Sequence, residues 1–153
     1  MDGYVVEAVI TGMVPIGVVP EGLRMDIEVE GRVTEGPLTG GRLSGTDFFT
    51  LRPDGIGVID VRQVIRLDSG TTVSLECHGY AHPPYRLPPL EEIRPDMEWP
   101  DADVPLHGAV FLRTGDPSLA ELNRTVYGMT GTANMARGQV HTRAESLARV
   151  PVA

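Results

Sequence analysis

Along most of this chain apolar and polar residues alternate with a period of two. In RMDIEVEGRV, Met25, Ile27, Val29 and Val33 alternate with Arg24, Asp26, Glu28, Glu30 and Arg32. That is the pattern of a strand with one buried and one wet face. Comparable segments fall at 4–11, 46–52, 56–67, 71–80, 107–113 and 138–147. The turn-forming runs EGPLTGG, RPDGI, LDSGT and RTGDP punctuate them. One stretch, GDPSLAELNRTV, reads instead as a short helix: Asp116 can cap it, Pro117 suits its first turn, and Leu119 and Leu122 share a face. One short helix among seven or more strands predicts an all-β meander, either a barrel or a sandwich.

Turn chemistry fixes a register for the central strands. Pro53-Asp54-Gly55 and Asp68-Ser69-Gly70 suit three-residue hairpin loops, in which a type I turn is followed by a left-handed glycine. The second loop then pairs Arg66 with Thr72, Val64 with Ser74, Arg62 with Glu76 and Asp60 with His78. The opposite face pairs Ile65 with Val73, Gln63 with Leu75 and Val61 with Cys77. The first loop places Phe48 opposite Asp60 and Thr46 opposite Arg62. A slip of one residue would scatter these charges across both faces, so the three-residue register is preferred.

The charged face so assembled carries Asp60, Arg62, Glu76 and His78 together with Phe48, Val58, Val64 and Tyr80. Two readings are open. Cross-strand ion pairs are common on solvated faces. The same residue types, facing a lumen, would make an acid–base cluster suited to proton transfer.

Residues 81–105, AHPPYRLPPLEEIRPDMEWPDADVP, interrupt the strand pattern. They hold seven of the thirteen prolines, which cannot donate in a central strand, and the single tryptophan, Trp99. A connection this long is expected to be a solvated excursion or a lid over a cavity mouth, with Tyr85 and Trp99 as its aromatics.

The 153 residues suit one domain, 1–153, with the proline-rich segment as an insertion in it. The net charge of −8 argues against nucleic acid as a partner. No apolar run is long enough for a spanning helix, and the acidic, alternating start does not read as a signal peptide, so no membrane partner is expected. The lone Cys77 fits a reducing compartment, and a cytoplasmic location is the default expectation. All thirteen basic residues are arginine, which excludes lysine Schiff-base chemistry. No nucleophile elbow or phosphate loop is present. Glu76, His78 and His82 lack the spacing of a metal site, so neither metal nor cofactor is expected.

The segments SGTDFFTLRPDGIGVIDVR and LDSG, with Gly79 closing the next strand, resemble the bacterial and fungal family known as domain of unknown function 3237. RTGDPSLAELNRTVYGMTG is similar to that family's second hallmark, a TGDP…LN turn and helix leading into a strand. Asp47, Asp60 and Arg62 occupy motif positions; Gln63 and Phe48 stand where the family pattern has Tyr and Trp. The resemblance implies a small antiparallel β-barrel with an internal cavity, similar to the barrel of allene oxide cyclases, and it tilts the Asp60/Arg62 face inward.

The resulting expectation is a barrel that binds a small, apolar, polyketide-like molecule and promotes a cofactor-free isomerisation or cyclisation. Arg62 would polarise an oxygen, and Asp60 or Glu76 with His78 would move protons. Phe48, Tyr80, Tyr85, Trp99 and His107 would contact the ligand. A non-catalytic carrier is the first alternative. A structural protein with a packed lumen and an outward charged face is the second. Homo-oligomerisation is compatible with all three.

Overall fold

A computed structural model of the chain describes residues 2–152. Eight antiparallel strands follow one another in order and close on themselves: β1 (Tyr4–Val19), β2 (Gly22–Glu35), β3 (Arg42–Leu51), β4 (Gly57–Arg66), β5 (Thr72–Ala81), β6 (Asp103–Thr114), β7 (Thr125–Asn134) and β8 (Gln139–Arg149). Each strand pairs with its sequence neighbour, and β8 pairs back onto Tyr4–Val9 of β1. Closure removes the free edges that an open meander would leave unpaired. The fold is thus the all-β antiparallel barrel expected from the sequence.

The hairpin registers are those the turns dictate. Leu67 N–H bonds Thr71 O, Gly70 N–H bonds Leu67 O, and Gly70 has φ +92°. Arg52 with Ile56 and Gly55 with Arg52 repeat the arrangement, with Gly55 at φ +86°. Arg62 therefore faces Glu76, Asp60 faces His78, and Val61 faces Cys77. Thr46 faces Arg62 across β3 and β4.

Three elements differ from expectation. β7 is absent from the alternating segments, because Val126 on its outer row blurs the contrast with the buried Tyr127 and Met129. β1 runs to Val19 rather than ending near residue 11, because its second half continues as a ribbon with β2 after β8 has left it. The helix is a 3-10 helix, Pro117–Arg124, broken by non-helical geometry at Leu119. Asp116 caps it as predicted, accepting from Ser118 N–H at 2.9 Å. Leu122 is buried and Leu119 packs against the core.

The lumen is filled unevenly. At one end Leu38, Ile65, Val73, Leu112, Leu122 and Tyr127 are almost wholly buried and form a solid plug. Tyr127 meets Tyr4 edge-on, with ring centroids 5.9 Å apart. Burying side chains of this size contributes roughly 1.5–3 kcal/mol each, so the plug anchors the barrel. At the other end the wall closes over open space, described next.

A candidate ligand site in the barrel lumen

An internal cavity of about 150 Å3 occupies the unplugged half of the barrel. Its wall comes from alternate residues of every strand, among them Val6, Ile27, Phe49, Ile59, Leu106 and Met129. Pro83, Tyr85, Leu87 and Trp99, from the proline-rich segment, line it as well, so that segment covers the mouth. Trp99 is held there by a hydrogen bond from its indole N–H to Pro95 O at 3.1 Å. The lid-like reading of this segment therefore has a concrete basis: two of its aromatics, Tyr85 and Trp99, contact the cavity.

The alternation that builds this wall also settles where the charged residues go. Ile59, Val61, Gln63, Leu75 and Cys77 face the lumen, so their neighbours Asp60, Arg62, Glu76 and His78 face out. The inward placement expected for these four is corrected. On the outer face they form one network with Arg113. Arg62 Nη1 stands 2.5 Å from Glu76 Oε1, Arg113 Nη1 3.1 Å from Glu76 Oε2, and His78 Nδ1 3.3 Å from Asp60 Oδ1. The hydrogen bond from Arg113, with the charges of Arg62 and Arg113, holds the Glu76 carboxyl below its usual range.

Phe48, Tyr80 and His107 are corrected in the same way. Phe48 pairs with Asp26 on the outer row, half-buried, while Tyr80 and His107 are exposed and face each other across β5 and β6. The physical reason is one of parity. The apolar face of β4 and β5 is the more uniformly hydrophobic of the two, and the barrel turns that face to its core.

The polar groups that do reach the lumen are Asp47, Gln63, Cys77, Thr142 and Tyr4, with Tyr85 at the mouth. Among the described residues no arginine, histidine or glutamate lines the cavity. Asp47 is the only carboxylate there among the described residues. It belongs to the inward row Leu43, Gly45, Asp47, Phe49, Leu51 of β3, an apolar alternation interrupted once. Pairing between β3 and β4 lapses between Asp47/Val61 and Thr50/Val58. In that gap Asp47 Oδ1 accepts the backbone N–H of Asp60 at 3.0 Å. The side chain has taken over a bond of the strand ladder, which pins one carboxylate oxygen. Among the described residues no donor reaches Oδ2.

Burial is the largest influence on Asp47 and pushes its carboxyl up from 3.8 to about 7. The Asp60 N–H pulls the other way, as does the charge of Arg24, while Asp60 and Asp26 add to the rise. Cys77 flanks Val61 on the side opposite Asp47. Burial, with the nearby Asp47 charge, pushes its thiol up to about 12. Cys77 is therefore a protonated wall residue at neutral pH rather than a nucleophile, as its place on the apolar face suggested. Burial, with Cys77 and Tyr127 nearby, also raises the Tyr4 phenol.

Sequence reasoning placed Asp47 in a family motif but gave it no part in the site. The signal that finds it is the single acidic residue in an otherwise apolar inward row, which becomes visible once the hairpin register is fixed. Among the described residues no group of three His, Cys, Asp or Glu side chains is arranged to hold a metal ion. Among the same residues no helix is long and apolar enough to cross a membrane.

A closed eight-stranded barrel with a small apolar lumen defines the structural class. Within it, the chain belongs to the family described as "Protein of unknown function (DUF3237)", whose sequence profile matches residues 4–145. No curated protein matches the chain. Among the solved structures that share the fold are three at 20% identity. A protein with unknown function from Clostridium acetobutylicum has TM-score 0.74, the alignment covering 97% of this chain and 100% of that one. A β-barrel-like protein from Acinetobacter baumannii has TM-score 0.70, with 95% and 93% covered. A conserved protein of unknown function from Rhodopseudomonas palustris also has TM-score 0.70, with 93% and 94% covered.

Proposed function

We propose that this protein binds a small, largely apolar molecule inside the barrel. The observation that carries the reading is the unfilled, apolar-walled lumen of about 150 Å3 beneath Tyr85 and Trp99. A purely structural barrel has no need of such a void, because empty volume in a core costs stability. The outward Asp60/Arg62 face alone would suit a structural protein, but the packed lumen that should accompany it is missing. A cavity of this size takes a ligand of about one ring, below the ~300–1,000 Å3 usual for drug-sized ligands. A larger polyketide-like molecule would need the mouth segment to move.

Cofactor-free isomerisation or cyclisation of the bound molecule is the catalytic form of this reading. A rigid apolar wall favours it by holding a ligand in one reactive conformation. The group in reach of such a ligand is Asp47, and Arg62 and His78 stand outside. A carrier would use the same lumen and release its ligand unchanged.

Calorimetric titration with toluene and indole tests the binding. Saturable binding is expected in the wild type and in Arg62→Ala, and is lost in Val61→Phe, whose ring fills the lumen beside Asp47. A wild-type protein that binds neither probe refutes the proposal.

A further inference from the structure

We infer that the lumen selects a neutral molecule bearing an acceptor oxygen, such as a cyclic ketone, and that Asp47 in its acid form donates the hydrogen bond that orients it. This rests on the lumen-binding reading above and adds to it the polarity of the ligand and the residue that recognises it.

Asp47 has apolar neighbours on both adjoining strands. From β4 it is met by Val61 and by the Asp60 N–H, and from β2 by Ile27. Cys77 lies beyond Val61 on β5, and Arg24, Asp26 and Asp60 lie on the far side of the sheet. Among the described residues no cationic side chain enters the cavity to pair with a carboxylate. An ionised acid in such surroundings is penalised by lost hydration, and the neutral acid is favoured. Burial does raise its pKa to about 7.

Hydrogen bonding then sets the ligand's polarity. Oδ1 is occupied by the Asp60 N–H at 3.0 Å, which fixes the carboxyl plane. The acid proton is left for Oδ2, which no described donor reaches. A neutral carboxyl held in this way offers one directed O–H to the lumen. Its best complement is an oxygen acceptor on an otherwise apolar molecule. An anionic ligand finds no cation in the wall, and a cationic one would be recognised only after Asp47 loses its proton.

The test uses two probes of nearly one shape, cyclohexanone and methylenecyclohexane, titrated into the full chain at pH 5.5 and 8.5. Because the hydrocarbon gains more from leaving water, the readout is the ketone-to-hydrocarbon affinity ratio in each variant rather than either affinity. At pH 5.5 Asp47→Leu should lower that ratio roughly tenfold, the size of one buried hydrogen bond. Asp47→Asn, which keeps an N–H donor but cannot ionise, should keep most of the ratio. In the wild type the ketone should weaken between pH 5.5 and 8.5 as Asp47 ionises, and in Asp47→Asn that loss should vanish. An unchanged ratio in Asp47→Leu, or an equal pH dependence in Asp47→Asn, overturns the inference while leaving lumen binding intact. If neither probe binds the wild type at either pH, the lumen-binding reading falls and this inference with it.

Discussion

Asp47 and Asp60 are joined by one hydrogen bond, yet they lie in opposite electrostatic worlds. Asp60 stands on the outer wall beside Arg62 and His78, within reach of water. Asp47 stands on the inner wall among aliphatic side chains, with one backbone N–H for company. The sheet is a single layer thick, so alternation alone sends neighbouring acids to two solvents. Outside, a row of charges is cheap and carries little information. Inside, one carboxyl without a counter-ion is costly, and a costly group retained in an apolar cavity is the stronger pointer to function.

The contrast can be strained most severely at Gly79 and His78. Gly79 lies against the backbone of β6, and a Cβ there would lie 1.9 Å from His107 O and 2.5 Å from Gly108 Cα. Gly79→Ala must part β5 from β6 and should destabilise the barrel by roughly 3 kcal/mol or more. His78→Ala, one residue away on the outside, should change the urea midpoint little. Equal effects at the two positions would contradict the close backbone approach of β5 and β6 at Gly79.

Asp47 gives the next largest effect, and its sign depends on pH. Its carboxyl titrates near 7 in the folded chain against 3.8 ordinarily, so between those values the unfolded chain binds fewer protons. Stability from this group is full below about pH 4, declines as pH rises towards 7 and is level above. Asp47→Asn should therefore leave stability nearly unchanged at pH 4 and raise it by about 2–3 kcal/mol at pH 8. Urea unfolding at the two pH values measures this, and a variant no more stable at pH 8 than the wild type would remove the buried charge from the account.

Smaller effects sharpen the picture. Trp99→Ala at the mouth should cost about 1–2 kcal/mol, since the ring is only partly buried, and should speed ligand release more than it speeds entry. Stopped-flow exchange of a fluorescent single-ring probe separates those rates. Arg62→Ala should shift the thermal midpoint by no more than about 2 °C and leave lumen binding unaltered. Any loss it causes should be greatest above the range where Glu76 ionises. The lowered Glu76 carboxyl contributes stability at higher pH and loses it as pH falls through its folded value. Added salt should abolish the difference between Arg62→Ala and wild type.

Much of the fold was legible in the chain because its cues are local. Asp54-Gly55 and Ser69-Gly70 specify their turns through the backbone freedom of glycine, and turn length fixes which residues oppose each other. That was enough to pair Arg62 with Glu76 and Asp60 with His78. Asp116 and Pro117 announced their helix in the same way, although not its 3-10 geometry or the break at Leu119. Tyr85 and Trp99 were legible as cavity contacts because aromatics in a proline-rich excursion have few other places to pack.

Which face of the sheet looks inward was not decided by any local cue. The outward row mixes Phe48, Val58, Val64 and Tyr80 with its charges, so it is apolar enough to pass for a lumen. Only closure of β8 onto β1 settles the matter, since it commits every strand at once to the face that buries the most apolar surface. Closure likewise leaves the void, because its volume depends on how eight rows of side chains meet across the axis. The sequence by itself determined most of the strands, the two glycine turns and the pairing of β3, β4 and β5 around them, which rest on short-range sterics and hydrogen bonds. Tertiary structure alone decided that Asp47, rather than its neighbour Asp60, meets the cavity, because inside and outside exist only once the sheet has closed.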